Sequence, residues 1–261
     1  MTDAARYRAV VAYVGTDFHG WQIQANASRT VQAVLERALR RLSSGASRPV
    51  AAGRTDAGVH ADGQVVHFDL TQAEDPARIR DAVNAHLPPD VRILDAARAA
   101  PDFHARRDAV WKEYIYRWSR AAVIPPRQAP FVVSIPARAE AARMRAAAAG
   151  LVGRHDFGVF AVRHPAKESS VRRLLALEID ETDDEIRALF RGEAFLRGMV
   201  RSICGVLADV ARGKASPERV TALLSSGDRR LLAPKAPARG LTLVQVHYEL
   251  GRGHPGVTLF T

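Results

Sequence analysis

An order of apolar periodicities runs through the first hundred residues and then runs again, and it narrows the possible folds of this chain more than any other feature. Tyr7 to Val14 alternates as a strand does, and Val31, Val34, Leu35, Ala38, Leu39 and Leu42 then recur at helical spacing on one face, with Gly45 placed to close the helix. Val50 to Gly53 and Gly63 to Leu70 read as strands. Asp75-Pro76 opens a second helix whose apolar stripe includes Ile79, Val83 and Leu87, and Val91 to Arg98 returns as a strand. A similar series spans the proline-rich break at Ile124 to Pro130, beginning one strand earlier with Ala109 to Trp118. It continues with a helix from Ala139 to Leu151, strands at Leu174 to Asp180 and Ile186 to Gly192, a helix from Leu196 to Arg212, a helix capped at Ser216-Pro217, and the strand Leu241 to Leu250. The halves share order more than sequence. Strands that follow strands predict antiparallel sheets with helices gathered on one face. The expected architecture is α+β, with two similar domains, residues 1–107 and 108–261, and a cleft where the sheets meet. A length of 261 residues suits two domains of ordinary size, each able to bury its own core.

Between two of the predicted strands stands Gly53-Arg54-Thr55-Asp56-Ala57-Gly58-Val59-His60. The two glycines permit dihedrals that side-chained residues resist, so the loop can turn sharply and present Asp56 to a ligand. Arg54, two positions earlier, is a candidate to hold that carboxylate in its charged form, available as a nucleophile or base. By the tetrapeptide alone an ordinary Asp-Ala-Gly turn with a surface salt bridge is the favoured description, because Asp and Gly are common turn residues.

Charge restricts the partners. Lys plus Arg number 38 against 28 for Asp plus Glu, a net charge of +10 and a pI near 10.5. That balance suits a polyanion, and nucleic acid is favoured because neutralised phosphates release counterions; an anionic membrane would call for a basic amphipathic helix. Only four lysines occur, Lys112, Lys167, Lys214 and Lys235. With abundant alanine, that skew toward arginine is also a signature of genome composition, so individual arginines are not read as RNA contacts. The single cysteine, Cys204, lies in an apolar helical stretch, forms no internal disulfide and fits a reducing cytosol. No run approaches the ~18 apolar residues of a membrane span, and the N-terminus passes into a strand pattern without a signal-peptide core. The expectation is a cytoplasmic protein with no membrane partner.

Other motif searches fail. GRGHPG at 251–256 matches a dinucleotide fingerprint by letters, but Pro255 and the five residues after the motif leave no helix to receive a pyrophosphate. No Walker loop, GxSxG elbow, HExxH or CxxC pair occurs. The nine histidines lack metal-ligand spacing, and His60 and His67 read as packed residues at the two ends of one strand. Asp17, Asp56 and Asp62 form the only conceivable two-metal nuclease set, with turn chemistry the better account of Asp17 and Asp62.

The longer string AGRTDAGVHADGQVVHF at 52–68 resembles the catalytic loop and following strand of the TruA family of tRNA pseudouridine synthases. YVGTDFHGWQIQ at 13–24 and VQAVLERAL at 31–39 are similar to that family's opening strand, aromatic loop and first helix. AVNAHLPPDVRILDA at 82–96, DFHAR at 102–106, KEYIY at 112–116, FLRGMVRSICG at 195–205 and ARGLTLVQV at 238–246 continue the match in order. One departure is Val14, where the family commonly carries an aspartate.

The resemblance implies isomerisation of uridine to pseudouridine at tRNA positions 38, 39 and 40 in the anticodon stem-loop, by a homodimer, in a basic cleft between the halves. The reaction cuts the N1–C1′ glycosidic bond, turns the base and joins C5 to C1′ with no net redox change, so it needs no cofactor. By the family's pattern Asp56 is the catalytic nucleophile. Attack at C1′, attack on the uracil ring and assistance through a glycal-type intermediate all remain compatible with it. A stacked uridine must be extruded at a cost of a few kcal/mol. Arg54 matches the family's residue that fills the vacated space or braces the backbone, Tyr114 the tyrosine that stacks on the target base, and Arg201 the arginine that pairs with the aspartate. By pattern alone Tyr114 is a strand residue with its ring in the core, and Arg201 lies on a helix among Met199, Val200 and Ile203, where a partly buried charge needs a partner. The rival from another class is a non-catalytic RNA-binding protein, which would want exposed stacking aromatics; at 7% aromatic content with no RNP-like run, the chain lacks them.

Overall fold

The computed structural model describes residues 4–26, 29–162 and 169–249, and the GRGHPG segment lies outside them. The chain divides into two compact units, one of Met1–Val110 with the chain from Leu243 onward, the other of Trp111–Thr242. Among the described residues no helix is long and apolar enough to cross a membrane.

In the first unit β1 (Ala5–Tyr13) pairs antiparallel with both β3 (His60–Leu70) and β4 (Val91–Arg98), and the two-residue β2 (Val50–Ala51) adds to β3. Tyr7, Ala9 and Val11 alternate onto the fully buried face of β1, with Phe68 and Val66 opposite Tyr7 and Ala9 on β3. Helix α1 (Val31–Leu42) buries Val31, Val34, Leu35, Ala38 and Leu39, the stripe its periodicity predicts. It begins where Thr30 Oγ1 accepts the Ala33 N–H at 3.3 Å, and it ends at Ser43, not at Gly45. Gly45 instead lies against the side chain of Thr71. Each fully buried leucine contributes about 1.5–3 kcal/mol, and truncation of Leu35 to alanine would cost roughly 2–5 kcal/mol. Helix α2 (Pro76–His86) is capped by Asp75, whose Oδ1 accepts from the Ala77 N–H at 2.7 Å, with Pro76 at the position where a missing N–H costs nothing. α2 packs against α1 and β4.

The second unit has the sheet order β5 (Ala109–Ser119), β9 (Glu185–Gly192), β8 (Val171–Glu181), β7 (Gly153–Asp156), all antiparallel. The short β6 (Val133–Ser134) runs parallel to β5, a local exception to the antiparallel expectation. Helix α3 (Ala141–Ala149) packs on β8, α4 (Met199–Ala211) and α5 (Arg219–Ser226). α4 is buried on nearly every side, and a Cβ on Gly205 would stand 2.2 Å from the Pro234 carbonyl, so only glycine lets that segment lie along the helix. α5 starts two residues after Pro217, with no side chain capping it.

The strand that closes the second series in the sequence, β10 (Leu241–Tyr248), pairs with β3 and completes the first unit's sheet in the order β4-β1-β3-β10. A Cβ on Gly63 would lie 2.3 Å from Val244 O, so a glycine in β3 lets β10 approach this closely. Tyr248 fixes the end of β10 by donating its buried hydroxyl to Ala105 O at 2.6 Å.

Candidate active site

Asp56 sits half-buried near the tip of the 52–60 loop, between β2 and β3 of the first unit. The loop is held on its inner side at nearly every residue. Gln64 donates from Nε2 to Gly53 O at 2.9 Å; the Trp21 N–H donates to Thr55 O at 3.1 Å; the Gly58 N–H donates to Phe18 O at 3.2 Å. The buried Thr55 hydroxyl shares a hydrogen bond of 2.8 Å with the Tyr13 hydroxyl. Burial pushes the Tyr13 phenol up to about 12, against the opposing pull of its hydrogen bonds with Thr55 and Gln64, so it stays protonated at neutral pH. A turn closes when the Val59 N–H donates to Asp56 O at 3.2 Å, and Gly58 takes the φ of 78° that follows it. Thr55 is buried, Arg54 is exposed and Asp56 is half-buried.

The aromatic loop that follows β1 acts as the clamp. Gly20 has φ of 89°, and a Cβ there would meet Thr55 O at 2.8 Å, Ala57 N at 3.1 Å and Asp56 C at 3.2 Å. Trp21 and Phe18 are buried beside it. Arg29 binds Asp90 through two nitrogens at 2.8 and 2.9 Å and places its guanidinium carbon 4.1 Å from the Phe18 ring centroid. These contacts join Asp90, Arg29, Phe18 and Gly58 in one continuous brace. Val14 joins it through its backbone, donating its N–H to Asp90 O at 3.0 Å, a contact any side chain would permit.

Arg54 is exposed and forms no ion pair or side-chain hydrogen bond among the described residues. The salt bridge with Asp56 that their spacing admits is therefore not made: Thr55 is anchored inward and the guanidinium projects from the surface. His60 and His67 are both buried and both serve the backbone, His60 Nδ1 accepting from the Gly15 N–H and His67 Nδ1 from the Ala105 N–H, each at 3.1 Å. Burial, then His104 and Arg6, push the His67 imidazole down to about 4, against a weaker pull from Asp69. Among the described residues there is no group of three or more His, Cys, Asp or Glu arranged to hold a metal.

Tyr114 and Arg201 belong to the second unit. Tyr114 lies on β5 opposite Phe190 of β9, is 7% exposed, and meets Phe195 edge-on at 5.2 Å between ring centroids. Arg201 is in the first turn of α4, which starts after Gly198 in a left-handed conformation with φ of 74°. Its Nε donates to Ala236 O at 2.9 Å and its carbonyl accepts the Ala236 N–H at 3.0 Å, so the side chain is braced from the segment that Gly205 admits. Periodicity does not reveal Tyr13, Gly20, Thr55 or Gln64 as supports of the loop, because each acts through one long-range hydrogen bond or one close approach. The only sequence signal for them is that Tyr13 and Gly20 fall inside the matched string 13–24, and Thr55 and Gln64 inside the matched string 52–68.

The family model described as tRNA pseudouridine synthase matches residues 9–108 and 147–249. A tRNA pseudouridine synthase A of Methylobacterium nodulans is 44% identical over 253 residues, 96% of this chain and 99% of that protein. The corresponding protein of Listeria welshimeri is 40% identical, with 94% of this chain and 99% of that protein covered. That of Solidesulfovibrio magneticus is 44% identical, with 97% and 93% covered.

Proposed function

The chain belongs to the tRNA pseudouridine synthase family and isomerises uridine to pseudouridine in tRNA; from that premise we propose that Asp56 is its nucleophile and that the target uridines are those at tRNA positions 38, 39 and 40 in the anticodon stem-loop. The observation that carries the assignment is the asymmetry of the 52–60 loop. Thr55 and the backbone on either side of Asp56 are tied to the aromatic loop and β1, which fixes the stretch of chain that carries the half-buried Asp56 carboxylate. A nucleophile held this way needs little reorganisation before attack, which is where positioning supplies most of its rate.

In this reading the Asp56 carboxylate assists cleavage of the N1–C1′ bond, whose electron pair leaves with the uracil; the detached base turns until C5 faces C1′, the C5–C1′ bond forms, the C5 proton passes to solvent and N1 takes one up. One proton lost and one gained leave the product an isomer of the uridine. Tyr114 supplies the aromatic surface on which the loose base turns, and in this reading its hydroxyl helps to move the C5 proton. Arg54, exposed and without an ion pair among the described residues, takes the place the extruded nucleotide leaves in the stem. Arg201 is the cation assigned to the nucleophile. The enzyme acts as a homodimer in the cytoplasm.

The test is Asp56→Asn with unmodified tRNA carrying tritium at uridine C5. The amide keeps the shape and the loop, so the variant should fold and bind tRNA yet release no tritium. Release at more than about a hundredth of the native rate would remove Asp56 from the chemistry.

A further inference from the structure

On α1 the buried stripe explains Leu35, Ala38 and Leu39, but it does not explain the opposite face. Arg37, Arg40 and Arg41 are exposed there, and Arg48 reaches the same place from the turn before β2. The four arginines surround a concavity of about 620 Å3 whose rim includes Ile23. Beneath them Glu36, with a side chain only 6% exposed, holds Arg40 at 2.6 Å and Arg48 at 3.0 Å, although both arginines stay about 60% exposed. One buried acid thus fixes the direction of two exposed cations. Arg37 and Arg41, one turn apart, form no ion pair or side-chain hydrogen bond among the described residues, and like charges at that spacing destabilise a helix by about 0.2–0.5 kcal/mol. The helix dipole accounts for arginines in the last turn, but it does not account for Arg37 or for the inward turn of Arg48.

The groove is also coupled to the nucleophile's loop. The Ile23 N–H donates to Gln32 Oε1 at 3.0 Å, the Gln32 N–H donates to Trp21 O, and the Trp21 N–H donates to Thr55 O. Two residues span at most roughly 7 Å, so the rim begins close to the backbone that positions Asp56.

We propose that Arg37, Arg40, Arg41 and Arg48 form a preoriented phosphodiester site that grips the tRNA backbone beyond the reacting uridine. Four cations around one acid leave three uncompensated positive charges, and the substrate of this enzyme is a polyanion that passes the neighbouring loop. The site adds to affinity and carries no sequence information, as phosphate contacts do. The proposal rests on the tRNA-modifying activity, so pseudouridine formation by the native protein is measured first; its absence would sink that reading and leave the affinity measurement to judge the groove separately.

The test compares Arg37→Gln/Arg41→Gln with Arg78→Gln/Arg80→Gln, an α2 pair of which Arg78 is exposed and Arg80 half-buried, bound to Glu74 and Asp81, that removes the same net charge from the same unit. Glutamine keeps helix propensity, and none of the four side chains is in the core, so both proteins fold. Binding of unmodified tRNA is titrated between about 50 and 200 mM salt. The groove pair should bind roughly tenfold more weakly and flatten the slope of log affinity against log salt by about 1.5–2, while the α2 pair stays near native. Equal losses in the two pairs would reduce the effect to net charge and overturn the proposal. An unchanged slope in the groove pair would overturn it, and so would a groove pair that loses binding to anionic phospholipid vesicles while keeping its affinity for tRNA.

Discussion

Replacing Gly20 by alanine should damage catalysis out of proportion to stability, and a matched glycine elsewhere supplies the control. At φ of 89° an alanine pays about 1–2 kcal/mol for the left-handed conformation. Gly227, at the end of α5 with φ of 64°, pays the same, and a Cβ there has nothing within 4 Å. The two positions differ in what the new methyl strikes. At Gly20 it would stand 2.8 Å from Thr55 O and 3.2 Å from Asp56 C, so the backbone around Asp56 must retreat by about half an ångström to reach ordinary contact. A misplacement of 1 Å can cost about 100-fold in rate, so single-turnover pseudouridine formation should fall roughly 10- to 100-fold in Gly20→Ala. The melting temperature should drop by about 2–8 °C in both variants, from 1–2 kcal/mol at 2–4 °C per kcal/mol. Tritium release at saturating enzyme, measured beside thermal unfolding, separates the two effects. Equal rates in Gly20→Ala and Gly227→Ala at matched stability would refute the claim that the aromatic loop positions Asp56.

Three further outcomes follow from the same structure. Tyr114→Ala should lose about 1–3 kcal/mol of stacking in tRNA affinity, whereas Tyr114→Phe should bind tRNA nearly as the native protein does and turn over more slowly; a Phe variant at native rate would leave the ring, and not the hydroxyl, as the functional part. Thr55→Val keeps the shape but leaves the buried Tyr13 hydroxyl without its threonine partner, so stability should fall by about 1–3 kcal/mol, and chemical denaturation showing no loss would remove that hydrogen bond from the loop's support. His67 is held at about 4 in the folded protein against 6.5 for the free side chain, so the unfolded chain takes up a proton that the folded one refuses. Stability is then whole above pH 6.5 and declines by about 3 kcal/mol as pH falls toward 4, and a His67→Gln variant with the same decline in urea titrations would disprove the assignment.

Where local rules govern, the sequence was sufficient. The α1 stripe from Val31 to Leu39, the Asp75-Pro76 start of α2 and the limits of β4 at Val91 and Arg98 all appear where periodicity and capping place them. Two classes of feature were less legible. Short polar strands such as β7, with the sequence Gly-Arg-His-Asp and only alternate half-burial, carry no apolar signal because they are edge strands that borrow their stability from a neighbour. Long-range choices are invisible too: β10 has the same alternating pattern whichever unit it joins, and only the fit of Gly63 against Val244 distinguishes them. At the site, the Asp56 loop was conspicuous by its glycines. The expected salt bridge to Arg54 is not formed, and the loop is anchored instead through Thr55 by a tyrosine 42 residues earlier in the chain.

The allegiance of β10 has a consequence for how the protein is made. The ribosome delivers the first 110 residues early, yet the sheet that carries the Asp56 loop lacks its last strand until Leu243 to Tyr248 has left the exit tunnel. At about 5–20 residues per second, that is a delay on the order of ten seconds. During it β3 presents an open edge next to Gly63, and Ala105 O waits for the Tyr248 hydroxyl. The second unit, continuous in the chain from Trp111 to Thr242, can close first. A nascent chain interrupted before β10 therefore holds every residue assigned to the chemistry but lacks the strand that completes the sheet carrying the Asp56 loop.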